Sequence, residues 1–503
     1  MRIAFLTLGC KLNYAETSTY ERGFKAAGHE VVPWQERADV YLVNTCTVTA
    51  TSDAKSRNLV RKMHRINPDA RIIVVGCSAE LRRADFEAIE GVTRVFGALE
   101  KSLVVPETLA SDGFASDEAL ASNATDRADV CAGKTSAALH PPQPDGWVPP
   151  VHMATGGHGF LSAHTDSPIA TDEAVAFENR ATLGIVRGRG PFMGGAERSE
   201  AFSKATASSK ACECFGAYST GERTRSFLKV QDGCNNFCKY CTVPYARGRS
   251  RNIPICECVR NAEAIAAEGV KEIVLTGVNT GDFGRTTGES FLDLLKALNE
   301  VKGIERYRIS SIEPNLITEE IVEWIAGGTK FQPHFHIPLQ TGSDTLLKAM
   351  GRHYDTAFFA DRINFIRSRM EGPGKPKVFF GIDTMVGLPG ETEELFRETY
   401  GFIAGLKPAF IHVFPYSRRP GTPAASMPGQ VTEAVKHERV LALEELCARL
   451  HDEFVEANRG IRETVIFESK EKNGNMSGYT GNYIRIERPY EGALVGKLTE
   501  ITI

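Results

Sequence analysis

Along residues 1–100, short apolar runs alternate with amphipathic stretches long enough for helices. Arg2 to Leu8 reads as a strand, Glu16 to Ala27 as a helix and Val40 to Asn44 as a buried strand. Ser52 to Ile66 forms a second helix, stopped by Asn67-Pro68, and Arg71 to Val75 a third strand. Helices set between short apolar runs are the pattern of a parallel α/β sheet. From Thr224 the rhythm resumes. Strands are expected at Phe227–Gln231, Glu272–Thr276, Arg306–Ser310, Phe335–Pro338, Val378–Ile382 and Ile411–Phe414, with helices starting near Ile255, Ser290, Thr318, Thr356 and Glu391. Six βα units predict a partial, TIM-like parallel barrel with its site at the carboxyl ends of the strands. After a helix from about Glu433 to Asn458 the period shortens. Glu463–Ser469, Met476–Arg488 and Leu494–Ile503 read as short strands with turns at Asn473-Gly474 and Gly478, a small β-barrel.

Residues 111–222 break the pattern. Pro141-Pro142-Gln143-Pro144, Pro149-Pro150, Gly156-Gly157 and Gly194-Gly195 punctuate a stretch rich in Ala, Ser, Thr and Gly, and neither apolar period persists. It is expected to be a disordered or loosely folded insertion. Its Cys212-Glu213-Cys214 has no partner pair and reads as exposed thiols rather than a metal site. The expected division is an α/β domain over 1–110, the insertion over 111–222, the barrel over 223–435, and a helix plus β-barrel over 436–503.

Composition narrows the class only slightly. The chain of 503 residues is 42% hydrophobic and 24% charged, so it can bury sizeable cores. A net charge of −4 gives no global nucleic-acid signature, and any basic surface must be local. The first residues lack the pattern of a signal peptide, and no apolar run is long enough for a membrane span. A cytoplasmic protein is expected. Twelve cysteines then point to metal binding or reduced thiols rather than disulfides.

Two sets of cysteines change the picture. Cys234, Cys238 and Cys241 lie in one loop at C-x₃-C-x₂-C spacing, with Phe237 and Tyr240 before the second and third. Thiolates suit zinc or iron–sulfur clusters, and a structural zinc site usually takes four protein ligands where this loop offers three. Cys10, Cys46 and Cys77 each follow an expected strand of the first domain. Ligands of open α/β sheets gather at carboxyl ends, so these three thiols can converge despite their separation in sequence. One buried Cys is commonly only a small apolar side chain; three at matching strand ends favour a second cluster. Beside Cys46 the second helix carries Lys55, Arg57, Arg61, Lys62 and Arg65 against Asp53, either a solvated face or a phosphate contact. Cys256, Cys258 and Cys447 read as structural.

The chain resembles the radical S-adenosylmethionine methylthiotransferases. The matching motifs are Thr7-Leu8-Gly9-Cys10-Lys11-Leu12-Asn13, Asn44-Thr45-Cys46-Thr47-Val48-Thr49, Gly76-Cys77, Gly233-Cys234 to Cys241 with Thr242-Val243-Pro244-Tyr245-Ala246-Arg247-Gly248-Arg249, Leu275-Thr276-Gly277-Val278-Asn279, His336-Ile337-Pro338-Leu339-Gln340-Thr341-Gly342-Ser343 and Gly387-Leu388-Pro389-Gly390-Glu391-Thr392. The terminal β-barrel looks like a TRAM domain. The resemblance covers everything except about 111–222, where the family has a short linker.

The resemblance implies two [4Fe–4S] clusters and S-adenosylmethionine. The cluster on Cys234, Cys238 and Cys241 would cleave that cofactor to a 5′-deoxyadenosyl radical, and the one on Cys10, Cys46 and Cys77 would hold the sulfur to be transferred. Arg247, Asn279, Ser311, Glu313, Gln340 and Asp383 are candidates to line the cofactor or substrate pocket, beside the plainer reading of ordinary loop hydrogen bonding. Cys10-Lys11-Leu12-Asn13 and Tyr479-Thr480-Gly481-Asn482-Tyr483 look like the branch that methylthiolates C2 of N6-threonylcarbamoyladenosine at position 37 of tRNA. The alternatives are the branches acting on isopentenyl-adenosine (Gln after the first Cys) or on a ribosomal protein (Pro-Lys there), and a non-catalytic RNA-binding iron–sulfur protein. Implied partners are a tRNA anticodon loop and an electron-donor protein, with no membrane; the sequence leaves the oligomeric state open, a monomer being favoured.

Overall fold

The computed structural model describes residues 1–47, 50–110, 214–220, 224–285 and 287–503; the expectations made for 111–213 lie outside them, whereas Cys214, expected as an exposed thiol, is partly buried against the apolar shell of the second region. The first domain runs β1 (Arg2–Thr7), α1 (Lys11–Ala26), β2 (Glu30–Val32), β3 (Val40–Thr45), α2 (Ala50–Ile66), β4 (Arg71–Gly76), α3 (Cys77–Leu81), α4 (Arg83–Glu87), β5 (Val92–Phe96) and α5 (Val104–Ala110). All five strands are parallel, in the order β2-β1-β3-β4-β5. Side chains alternate across the sheet. Tyr41, Val43, Ile72 and Val74 pack with Val60 and Met63 of α2, while Val40, Leu42, Ile73 and Val75 pack with Tyr20 and Phe24 of α1 and Val104 of α5. With helices on both faces, β3 is buried at every position, as parallel strands are.

The first helix begins at Lys11, not Glu16. Its N-cap is Cys10, in extended conformation and without a side-chain cap bond, so no local start signal marks it. Asn13 holds the first turn through tertiary bonds instead, donating to Leu8 O at 2.8 Å and Thr45 O at 2.9 Å.

The second region contains β6 (Ala217–Tyr218), β7 (Arg225–Lys229), β8 (Gln231–Asp232), β9 (Arg251–Asn252), β10 (Glu272–Thr276), β11 (Arg306–Ile309), β12 (His334–Gln340), β13 (Phe379–Val386) and β14 (Phe410–Pro415). Parallel pairing runs β7-β10-β11 and β12-β13-β14, and Ile312 N donating to His336 O bridges the two groups. These are the six strands expected for a partial barrel. β6 adds an antiparallel edge on β7, from a segment too short to carry a period of its own. Helices starting at Ile255, Phe291, Glu319, Thr356 and Glu393 cover the outside, and Ser290, Thr318 and Thr392 cap three of them as expected from their side chains. Leu228, Ile273, Ile309, Ile337 and Ile382 face this outer shell, so the alternate residues point into the barrel.

The helix Glu433–Glu456 buries Leu443, Leu446, Cys447 and Leu450. The chain then forms an antiparallel sheet of β15 (Arg462–Lys472), β16 (Asn475–Thr480), β17 (Arg485–Pro489) and β18 (Leu498–Thr502), ordered β17-β16-β15-β18. The single strand expected over Met476–Arg488 is broken at Gly481–Tyr483. Ile484 N donates to Thr480 Oγ1 at 2.8 Å, and Tyr483 adopts φ +68°. Gly478 makes no turn. A Cβ there would lie 2.4 Å from Ile466 O, so glycine is needed for close strand approach. No described helix is long and apolar enough to cross a membrane.

Candidate cluster and substrate site

Cys10, Cys46 and Cys77 follow β1, β3 and β4, which are neighbours in the sheet. Glycines let these strand ends approach. Gly9 has φ +101°, and a Cβ there would sit 2.6 Å from Cys46 Cβ and 2.7 Å from Cys46 Sγ. Gly76 has φ +112°, with Thr45 O 2.6 Å from where a Cβ would be. Asn44 donates to Asn13 O and Thr17 Oγ1, pinning the loops around the thiols.

The second triad sits on a loop after β8. Gly233 opens it at φ +73°, where any Cβ would meet Arg249 O at 2.1 Å. Cys234 N donates to Gly248 O and Cys241 N to Cys238 O, so the loop closes on itself. Backbone N–H groups also face sulfur: Asn236 N lies 3.5 Å from Cys234 Sγ, and Val243 N 3.4 Å from Cys241 Sγ. Phe237 stands edge-on to Tyr245, their centroids 5.9 Å apart. Arg352 donates to Cys238 Sγ at 3.1 Å and pairs with Glu313. Burial pushes Cys234 up to about 11 and Cys241 up to about 12, and the neighbouring thiols add to both shifts. Burial likewise raises Cys77, against the pull of Arg247 and Lys101.

Both triads fit a cluster better than one ion. Among the described residues neither brings its three sulfurs within 4.8 Å of one another, whereas tetrahedral zinc with Zn–S bonds of about 2.3 Å holds sulfurs about 3.8 Å apart. Thiols this buried stay protonated until a metal's charge displaces the proton.

Between the triads lies a buried ionic network. Arg247, 2% exposed, donates from Nε to Cys77 Sγ at 3.1 Å, from Nη1 to Asp232 at 2.9 Å and Glu16 at 3.3 Å, and from Nη2 to Asn13 Oδ1 at 2.6 Å. Lys229 bridges Glu16 at 2.8 Å and Asp232 at 2.7 Å, Lys101 pairs with Glu16, and Arg251 reaches Asp232 at 3.4 Å. Burial alone would raise the two carboxylates, but the surrounding cations hold both well below their ordinary range. Two carboxylates against four cations leave an excess of positive charge beside Cys77. Arg247 is thus placed on the Cys77 side, with most of its donors committed.

The other pocket candidates lie on the barrel loops. Gln231 Oε1 accepts from Val278 N and Asn279 N at 2.9 Å each, and Asn279 Oδ1 accepts from Glu313 N at 3.3 Å. Ser311 O accepts from Thr280. Gln340 sits at an irregularity in β12 with φ +71°, and Asp383 is 2.8 Å from His336 Nε2. Asn279, Ser311 and Glu313 are joined by these bonds on one side of the barrel, while Asp383 stands apart with His336. Glu16, Lys101, Lys229, Asp232 and Arg352 were not singled out in the sequence. Only Lys229, closing the strand β7 after Phe227 and Leu228, carried a signal; Glu16 lies in a polar helix, Lys101 in a short turn and Arg352 in a loop.

The sequence matches the model of the uncharacterized protein family UPF0004 over residues 2–97 and that of the radical SAM superfamily over residues 228–403. It is 35% identical to the threonylcarbamoyladenosine tRNA methylthiotransferase MtaB of Bacillus subtilis, across 100% of this chain and 93% of that protein. It is 31% identical to the protein of that name from Aquifex aeolicus, across 100% of each. A tRNA-2-methylthio-N(6)-dimethylallyladenosine synthase of Alkaliphilus oremlandii is 35% identical over 56% of this chain and 59% of its own length. Matched from end to end, with both domains and both cysteine triads in place, this chain belongs to the threonylcarbamoyladenosine tRNA methylthiotransferase family of radical S-adenosylmethionine enzymes.

Proposed function

We propose that this enzyme methylthiolates C2 of N6-threonylcarbamoyladenosine at position 37 of tRNA, using S-adenosylmethionine and two [4Fe–4S] clusters. The observation that carries the reading is the pairing of two cysteine triads on either side of one buried ionic network, in a chain whose full-length relatives bear that name. Cys234, Cys238 and Cys241 would hold one cluster and Cys10, Cys46 and Cys77 the other. No side-chain base removes hydrogen from the unactivated C2 of adenine, so the bound cofactors supply the one-electron chemistry and the sulfur.

The chain's own residues position and exclude. Arg352 and the loop amides donate to the radical-site sulfurs, and Arg247 donates to Cys77. Asn279 and Glu313 line the carboxyl-end rim, where Asn279 is fixed by Gln231. Tyr245, 47% exposed in the short helix after the second triad, and Phe414, 41% exposed near the carboxyl end of β14, offer faces for an extruded base. Lys55, Arg61, Lys62 and Arg65 are exposed along α2 and suit the phosphates of an anticodon stem. An electron-donor protein and a cytoplasmic site of action complete the proposal.

The nucleoside profile of tRNA from a deletion strain tests it. Threonylcarbamoyladenosine should accumulate without its methylthio group while the isopentenyl nucleoside is unchanged. The reverse pattern would transfer the assignment to the dimethylallyl branch, whose relative matches only part of the chain.

A further inference from the structure

The barrel interior holds a polar cluster that neither triad uses. His336 on β12, Asp383 on β13 and His412 on β14 each offer a ligand atom, all within 4.8 Å of one another. His336 Nε2 is 2.8 Å from Asp383 Oδ1, and the two imidazoles stack at 4.9 Å with 24° between planes. Phe410 stands edge-on to His412. Lys11 enters the same interior from the first domain. It is half-buried, directly follows Cys10, and places Nζ 6.0 Å from the Phe227 ring centroid. Burial alone would raise Asp383; His336, His412 and Lys11 together hold it below the ordinary range, so the Lys11 charge reaches this cluster. Among the described residues, Lys11 has no carboxylate within ion-pair distance. The first turn of α1 lacks a side-chain cap, so the positive end of a 16-residue helix lies beside it.

A shared metal ion is the poorer occupant. Imidazole lone pairs lie in the ring plane, and two nearly parallel stacked rings do not aim them at one point. A half-buried cation with no carboxylate at ion-pair distance among the described residues suits an anion. The proposed substrate carries one: the threonylcarbamoyl group ends in a carboxylate, whereas adenosine and isopentenyl-adenosine have none. N6 is the exocyclic amine on C6, and C6 and C2 flank N1 in the same six-membered ring. A group that seats the N6 substituent one residue from Cys10 therefore turns C2 toward that triad.

We propose that Lys11, backed by the His336–His412 pair, receives the carboxylate of the threonylcarbamoyl substituent, with Asp383 fixing the His336 ring. This rests on the reading under Proposed function. The test is binding of anticodon stem-loops to the reconstituted enzyme. The loops carry threonylcarbamoyladenosine, its carboxylate methyl ester, or plain adenosine at position 37. Wild type should prefer the free carboxylate over the ester by about tenfold or more. Lys11→Met should bring that ratio near one without weakening the plain adenosine loop, Lys11→Arg should keep most of it, and His412→Phe should lower it. Iron content checks that each variant keeps its clusters; if Lys11→Met loses iron, the Lys11→Arg and His412→Phe ratios decide. Full discrimination retained in both Lys11→Met and His412→Phe would overturn the subsite while leaving the proposed reaction intact. Failure of wild type to distinguish any of the three loops, with an unaltered nucleoside profile in the deletion strain, would sink the reaction itself. Zinc competing with the free-carboxylate loop would instead favour a metal and also overturn the subsite.

Discussion

The Arg247 guanidinium ties the first cysteine set to the barrel, because it touches Cys77, Asn13, Glu16 and Asp232 at once. Replacing it by Met removes these four contacts, while Glu16 keeps Lys101 and Lys229 and Asp232 keeps Lys229 and Arg251; losing buried hydrogen bonds of this kind costs about 1–3 kcal/mol. Chemical denaturation of Arg247→Met should show a destabilisation of that order, and Arg247→Lys should rescue little, since an ammonium cannot fill a planar fork of four acceptors. Glu16 and Asp232 also set an acid limit. Their folded values lie below the unfolded ones, so their contribution is complete at neutral pH and is lost as pH falls through about 4 toward the folded values. The urea midpoint of the cluster-free protein should drop between about pH 5 and 3, and the drop should be shallower in Glu16→Gln, which starts lower at pH 7. The cysteines were legible because thiols at such spacing have few other uses. Glu16, Lys229 and Asp232 were not, because one charge in a helix or strand looks the same whether it faces solvent or a buried partner.

At the scale of elements, two loops are set by backbone approach rather than by side chains. Gly233→Ala would push a Cβ into Arg249 O and force φ +73° on alanine. Of the eight or so irons expected per chain from two [4Fe–4S] clusters, that variant should retain about half after anaerobic reconstitution. The Cys234→Ala, Cys238→Ala, Cys241→Ala triple variant should match it, and full iron in the triple variant would refute the radical-site assignment. The strand-helix alternation of both α/β regions was readable because buried parallel strands are almost wholly apolar. The early start of α1 and the break at Gly481–Tyr483 were not, since tertiary bonds from Asn13 and Asn482 set them; Asn482 donates to Asn458 at 2.9 Å and Lys377 O at 3.1 Å.

At the scale of the whole molecule, the terminal sheet closes the barrel from the amino ends of its strands. Arg308 pairs with Glu272 and donates to Thr480 O at 2.7 Å and Gly481 O at 2.8 Å, and Arg306 reaches Thr464 and Tyr479 O. Tyr483 is buried there, stacked with Tyr479 and packed on Phe379 and His334, so these tyrosines serve packing rather than base stacking. Removing residues 459–503 should therefore lower the thermal midpoint of the remainder rather than only weaken RNA binding, as differential scanning fluorimetry would read. Another feature concerns the stretch beyond 110. Leu109 before it and Phe215 after it pack against the same apolar cluster on α1, where Phe215 stacks on Tyr20 at 5.6 Å. The described residues on either side of 111–213 are thus anchored at one seam. Closing a loop costs only about 0.6 kcal/mol more for each doubling of its length, so the length between those anchors is close to a free variable. Lineages can lengthen, trim or replace it while the catalytic body keeps its architecture.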